Sequence, residues 1–246
     1  SVTGVQTCAL PICEELELPH DLAGERVERD DAVREKIVPR VAHAEVIRLW
    51  RSGGDVGDAA RLIDEVADGE PVIWVGLSMG GMIGQELAIR HPDKVKALVL
   101  ANTTSTYTAT GREAIGQRIE TVESHGLGAI STTTMARFFS ETFRQQQAAT
   151  VSRHQRLLES TDPEGYTACA AALCDADTSG KLHQIRVPTL VVAGSLDEGT
   201  PMEMAQNLAK GIAGAQLVTL QGCAHLSAVE QPHAFAEVLG EFVAGI

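Results

Sequence analysis

The sequence predicts an α/β protein, in which helices cover both faces of a mostly parallel sheet and a helical lid is inserted into the core. A short, continuous apolar run at 72–75 and predominantly apolar runs at 95–101 and 187–193 alternate with helical patterns, as in parallel sheets buried on both faces. From 102 to 185 the pattern is helical throughout. The expected units are an uncertain segment at 1–56, a core at 57–104 and 185–246, and a lid at 105–184.

The core elements can be read in order along the chain. Each predicted helix has apolar residues at helical spacing, and each predicted strand is a short apolar run bounded by turn residues. The expected helices are 58–67, 82–90, 201–212 and 232–243, and the expected strands are 72–75, 95–101, 187–193 and 215–220. Within the lid, Gly111, residues 126–128 and residues 161–163 (Thr-Asp-Pro) should interrupt the helices.

The first 56 residues do not follow this pattern. Residues 2–12 (VTGVQTCALPI) resemble the in-frame translation of a DNA-sequencing adapter, which predicts an artefactual start and a missing natural N-terminus. Residues 30–50 are patterned as a helix that Pro39 would break, and a shifted reading frame is the alternative. Without earlier strands, the strand at 72–75 would be a bare apolar edge, so we expect the chain to fold poorly or to aggregate.

Composition restricts the possible partners. The chain has 246 residues, with 20 basic and 33 acidic ones and a net charge of −13, which argues against binding to nucleic acids or to anionic membranes. No apolar run is long enough to span a bilayer, and we find no signal-peptide pattern. The five cysteines form no CxxC pair, which favours free thiols in a reducing cytoplasm. The oligomeric state has no signature in the sequence.

The strongest chemical motif is the segment 76–80 (GLSMG), which fits the G-x-S-x-G nucleophile elbow. It follows a predicted buried strand and opens a predicted helix, and this context favours an exposed nucleophile over an idle serine in a glycine-rich turn. The pattern therefore predicts Ser78 as the nucleophile. The backbone N–H of Met79 would then stabilise the negative charge that develops on the substrate oxygen.

Two later loops supply an acid and a base. Asp197 follows the strand at 187–193, and His225 follows the strand at 215–220, where loops at the carboxyl ends of parallel strands form sites. Glu198 is a rival carboxylate, and Thr200 is the better candidate to cap the next helix. The chain order Ser78, Asp197, His225 is that of a hydrolase triad, in which the histidine is the base and the aspartate orients it.

Five segments resemble the 3-oxoadipate enol-lactonases of the α/β-hydrolase superfamily. They are 76–85 (GLSMGGMIGQ), 91–103 (HPDKVKALVLANT), 161–166 (TDPEGY), 194–201 (GSLDEGTP) and 224–232 (AHLSAVEQP). The resemblance extends from about residue 58 to the C-terminus. It implies a partial α/β-hydrolase fold and hydrolysis of an enol-lactone to 3-oxoadipate, in the β-ketoadipate pathway of aromatic catabolism. It implies no metal or organic cofactor.

The resemblance also implies a small anionic lactone or ester as substrate. Arg137 of the lid is our candidate for binding its carboxylate, and a solvated lid arginine is the alternative. The family has a His-Gly loop that supplies a second oxyanion donor, and no such pair precedes residue 58. Losing one such donor lowers the rate by about 10²–10³-fold. Other hypotheses are a carboxylesterase or C–C bond hydrolase of the same fold, and an inactive truncated fragment.

Overall fold

The structure, a computed structural model, describes residues 4–8, 57–67 and 69–246. Its strands are β1 (Gly4–Cys8), β2 (Val72–Leu77), β3 (Val95–Ala101), β4 (Thr189–Gly194) and β5 (Gln216–Leu220). Its α-helices are α1 (Gly57–Val66), α2 (Met79–Arg90), α3 (Ala109–His125), α4 (Gly128–Phe138), α5 (Glu141–Gln146), α6 (Ala148–Glu159), α7 (Pro163–Asp175), α8 (Met202–Gly211), α9 (Ser227–Glu230) and α10 (Pro232–Ala244). Two 3₁₀ turns lie at Pro92–Lys94 and Ser179–Gln184.

The five strands form one parallel sheet in the order β1-β2-β3-β4-β5. Strands β3 and β4 are almost entirely buried, apart from the exposed Lys96, which explains why apolar residues follow one another in them rather than alternate with polar ones. Leu98 and Val191 pack on one face with residues of α1, α2 and α8. Val99 and Val192 pack on the other face with residues of α10. The predicted α/β class, with a parallel sheet covered on both faces, is therefore confirmed.

Strand β1 corrects the prediction that β2 forms a bare apolar edge. Gly4–Cys8 pairs in parallel register with β2, from Gly4 opposite Ile73 to Cys8 opposite Leu77. Residues 4–8 therefore belong to the sheet, and the edge of β2 is not bare. Strand pairing uses backbone groups, and Val5 and Thr7 have good strand propensity, so this segment can pair whatever its resemblance to an adapter. The predicted helix at 30–50 lies outside the described residues.

Five helices, α3 to α7, lie between β3 and β4, and their apolar residues, among them Phe139 and Leu158, form a cluster that also includes Leu226. The predicted breaks near Gly126, where φ is 76°, and at Asp162, which caps α7, are observed. The predicted break at Gly111 is wrong, because Gly111 lies in the first turn of α3. Its N–H donates to Oγ1 of the N-cap Thr108 at 3.1 Å. Among the described residues, no helix has the length and apolarity needed to cross a membrane.

Candidate active site

Ser78 occupies a sharp turn between β2 and α2. Its backbone has φ 54° and ψ −117°, a left-handed conformation that costs a non-glycine residue about 1–3 kcal/mol. The turn is held by the Ser78 N–H, which donates to the Ala101 carbonyl at 2.9 Å, and by Thr103 Oγ1, which donates to the Ser78 carbonyl at 2.6 Å. A Cβ on Gly76 would lie 2.2 Å from the Gly80 carbonyl oxygen, so only glycine fits there.

The structure brings the three predicted side chains together at the carboxyl end of the sheet. His225 Nε2 lies 3.0 Å from Ser78 Oγ, and His225 Nδ1 lies 2.9 Å from Asp197 Oδ2 and 3.1 Å from Oδ1. Asp197 and His225 are both 5% exposed. With the proton on Nδ1 and donated to Asp197, Nε2 can accept the hydroxyl proton of Ser78. The rival Glu198 is exposed and is not part of this chain of hydrogen bonds.

Asp197 is surrounded by hydrogen-bond donors. Besides His225, it accepts from the Gly199 N–H at 2.8 Å, from the Thr200 N–H at 3.0 Å, and from Thr200 Oγ1 at 2.6 Å. Burial acts to raise the pKa of Asp197, but the charge of His225 and these hydrogen bonds outweigh it and hold the pKa well below its ordinary value. The prediction that Thr200 caps the next helix is wrong, because α8 begins at Met202 and the Thr200 hydroxyl binds Asp197 instead.

Asn102 is part of the site and was not found by sequence reasoning. It is 2% exposed, has φ 46°, and donates from Nδ2 to Asp197 Oδ2 at 3.0 Å and to the Ala224 carbonyl at 3.2 Å. Its Oδ1 accepts from Ser227 Oγ at 2.5 Å. One buried amide therefore links the acid loop to the loop that carries His225. A polar residue directly after the buried strand β3 was the available signal.

Arg137 lies in the last turn of α4 and is half-buried next to the acid–histidine pair. A Cβ added to Gly199 would be 3.5 Å from Arg137 Nη2 and 3.3 Å from Asp197 Oδ1, so the guanidinium and the carboxylate both border Gly199. A second arginine, Arg118 of α3, lies close enough to Arg137 for its charge to affect the pKa of Arg137. Burial, and next the charge of Arg118, lower the pKa of Arg137. The buried Nε of Arg118 has no hydrogen-bond partner among the described residues.

Met79 is the first residue of α2, where backbone N–H groups have no partner within the helix. Its side chain is 3% exposed and packs in the core, so only its backbone is available to the site. The N–H of Met79 directly follows Ser78 and stays our prediction for an oxyanion donor. The prediction of a missing second donor concerns residues before 58, of which the structure describes only Gly4–Cys8 and Gly57.

The elbow, the parallel sheet and the inserted helices are the features of the α/β-hydrolase fold. The alpha/beta hydrolase fold family model matches residues 56–232, and the chain belongs to this family. Among curated proteins, it is 35% identical over 162 residues to 3-oxoadipate enol-lactonase 2 of Acinetobacter baylyi, covering 66% of this chain and 60% of that protein. It is 31% identical over 178 residues to 3-oxoadipate enol-lactonase 1 of the same organism, covering 72% and 65%.

Two solved structures, of an enol-lactonase and of a hydrolase, are also similar to this chain. The crystal structure of the enol-lactonase from Burkholderia xenovorans has a TM-score of 0.73 and 28% identity, with 77% of this chain and 71% of that chain covered. A hydrolase from Pseudomonas aeruginosa has a TM-score of 0.72 and 32% identity, with 76% and 70% covered. The aligned part spans less than two thirds of the length of the two curated lactonases.

Proposed function

We propose that the protein is a serine hydrolase that cleaves a small lactone or ester, specifically 3-oxoadipate enol-lactone to 3-oxoadipate. The proposal rests on one observation, the continuous chain of hydrogen bonds from Asp197 through His225 to Ser78 Oγ, at 2.9 Å and 3.0 Å. This geometry is the one needed for a base that removes the serine proton while the carboxylate orients the base. The likeness to enol-lactonases at 31–35% identity supports the choice of substrate.

The reaction follows from the positions of the protons. His225 Nε2 takes the hydroxyl proton of Ser78 as Oγ attacks the carbonyl carbon, and the imidazolium is stabilised by Asp197. The oxygen of the tetrahedral intermediate is negatively charged and accepts a hydrogen bond from the Met79 N–H. His225 then returns the proton to the departing enol oxygen. A water, deprotonated by the same imidazole, hydrolyses the acyl-enzyme and releases Ser78.

Arg137 is proposed to bind the carboxylate of the substrate. Its guanidinium borders Gly199 together with Asp197 and His225, and the nearby charge of Arg118 adds to a positive potential that an anionic substrate would relieve. Such a local cation is needed in a protein of net charge −13, whose overall field repels anions. The Ser78–His225 pair would then act on the carbonyl group of a molecule whose carboxylate is held by the lid.

The nucleophile can be tested without knowledge of the substrate. A fluorophosphonate reacts with an activated serine, and intact-mass measurement should detect one adduct per chain. Ser78→Ala should abolish this adduct, and Ser152→Ala, which removes an exposed serine of α6, should retain it. Absence of an adduct on the unmodified protein, or an adduct that persists in Ser78→Ala, would refute the proposal.

The substrate class needs a second measurement. We expect turnover of 3-oxoadipate enol-lactone and compare it with neutral methyl esters of similar size. Arg137→Ala should raise KM for the anionic lactone while leaving KM for neutral esters unchanged, and Arg156→Ala, at an exposed position of α6, should change neither. An unchanged KM for the lactone in Arg137→Ala would eliminate the role of Arg137. Turnover of neutral esters alone would indicate a general carboxylesterase.

A further inference from the structure

The lid and the loop that carries His225 are joined by the carboxylate of Glu230. Its Oε1 accepts a hydrogen bond at 2.7 Å from the N–H of Ala224, the residue directly before His225. The same carboxylate accepts from the N–H of Ser140, at 3.3 Å to Oε1 and 3.2 Å to Oε2, and from Ser140 Oγ, at 2.5 Å to Oε2. Ser140 lies 90 residues away in the sequence and is the N-cap of α5. The side chain of Glu230 therefore accepts hydrogen bonds both from the lid, at Ser140, and from the loop that carries His225, at Ala224.

Two more contacts connect the same lid segment to His225. The ring of Phe138 stacks on the imidazole, with centroids 5.5 Å apart and planes 20° from parallel. The carbonyl of Phe138 accepts from the N–H of Leu226 at 3.0 Å. Arg137 directly precedes Phe138, so the arginine proposed to hold the substrate belongs to the segment that contacts the histidine loop.

We propose that Glu230 is a positioning residue that couples the lid to His225. It would hold the imidazole and the guanidinium of Arg137 at a constant distance and orientation relative to each other. The inference rests on the proposed function, because it assigns Glu230 a role in that same site. A 1 Å displacement of a catalytic group lowers a rate by about 10²-fold. An acceptor shared by the lid and the loop that carries His225 restricts such displacements more than an apolar contact would, because hydrogen bonds are directional.

The chemistry of the contact explains why a carboxylate is needed. An ionised carboxylate accepts with both oxygens, whereas the amide of glutamine accepts with one oxygen and donates with its nitrogen. In Glu230→Gln, one end of the side chain would present N–H groups to the N–H of Ala224 or of Ser140. The variant therefore keeps the shape of the side chain but replaces charge-assisted hydrogen bonds by weaker neutral ones, and its nitrogen end can no longer accept from the backbone N–H that it faces.

The test compares Glu230→Gln with Glu141→Gln, which makes the same change at an exposed lid residue next to Ser140. Activity on a neutral ester is expressed per active site titrated with a fluorophosphonate, and His225 is observed through its Nδ1–H resonance in protein labelled with ¹⁵N-histidine. We expect Glu230→Gln to lower kcat per titrated site by about 10²-fold and to shift the His225 resonance. Glu141→Gln should change neither.

A purely structural role would give a different result. Glu230→Gln would then lower the melting temperature while kcat per titrated site and the His225 resonance stay at their original values, and this outcome would overturn the proposal. If Glu230→Gln fails to fold, Ser140→Ala, which removes one donor from the same carboxylate, should produce a smaller shift of the same resonance. If the unmodified protein is not labelled at all, the proposed function fails, and the resonance alone still decides the coupling.

Discussion

Asn102 offers the most direct test of how the site is built. Its amide makes three buried hydrogen bonds, to Asp197 Oδ2, to the Ala224 carbonyl and from Ser227 Oγ. Asn102→Ala leaves the hydroxyl of Ser227 and the carbonyl of Ala224, two buried residues, without these partners. An unsatisfied buried group of this kind costs about 1–3 kcal/mol, so the expected loss in the free energy of unfolding is about 2–6 kcal/mol.

The conformation of Asn102 adds a separate contribution, which a second variant isolates. Its φ of 46° is tolerated by asparagine, and alanine pays about 1–2 kcal/mol there. Asn102→Gly removes the same hydrogen bonds without this backbone cost, so its loss reports mainly the hydrogen bonds. The assay is urea unfolding followed by circular dichroism. A loss below about 1 kcal/mol in Asn102→Gly would refute the reasoning, because it would mean that the three bonds contribute little to stability.

Three further predictions concern other residues. Gly76→Ala places a Cβ 2.2 Å from the Gly80 carbonyl and should lower the fluorophosphonate labelling rate by at least about 10²-fold, whereas Gly116→Ala, in open space on α3, should leave that rate unchanged. The same Gly116→Ala should raise the free energy of unfolding by about 0.5–1 kcal/mol, and a decrease in urea unfolding would contradict it. Thr200→Val removes a donor to Asp197 and should raise the pKa of this carboxyl towards its ordinary value. A depressed carboxyl pKa contributes to the free energy of unfolding above about pH 4, and this contribution is lost as pH falls through the folded-state pKa. The variant should therefore have a lower free energy of unfolding at neutral pH, by about 1.5–3 kcal/mol. Urea unfolding should show this difference shrinking at low pH, and a difference independent of pH would be evidence against it.

The sequence by itself determined the class of fold and the order of the core elements. Strand β3 was predicted with the bounds that are observed, and α10 was predicted within one residue. These elements carry their own period of apolar residues, which depends only on near neighbours in the chain. The positions of Ser78, Asp197 and His225 were also local signals, since Ser78 follows β2 directly and the other two lie in the loops that follow β4 and β5.

Predictions from local sequence patterns were wrong where the pattern was weak or was compatible with more than one structure. Residues 4–8 were excluded from the fold, yet they pair with β2 through backbone groups that any sequence provides. Gly111 was read as a break, yet the capping hydroxyl of Thr108 lets the helix include it. The bounds of α2 were placed too late, because Met79 belongs to a helix that starts directly at the strained Ser78.

Only the tertiary structure decided how the site is supported. The bonds from Asn102 to Asp197 and from Ser227 to Asn102 join residues 95 and 125 positions apart, and Glu230 binds Ser140 across 90 positions. No periodic pattern records such contacts, because they exist only after the strands have paired and helices α3 to α7 have packed on the loop of His225. The sequence therefore determined which residues are candidates for the site. The packing of distant segments determined which further residues hydrogen-bond to them and fix their positions.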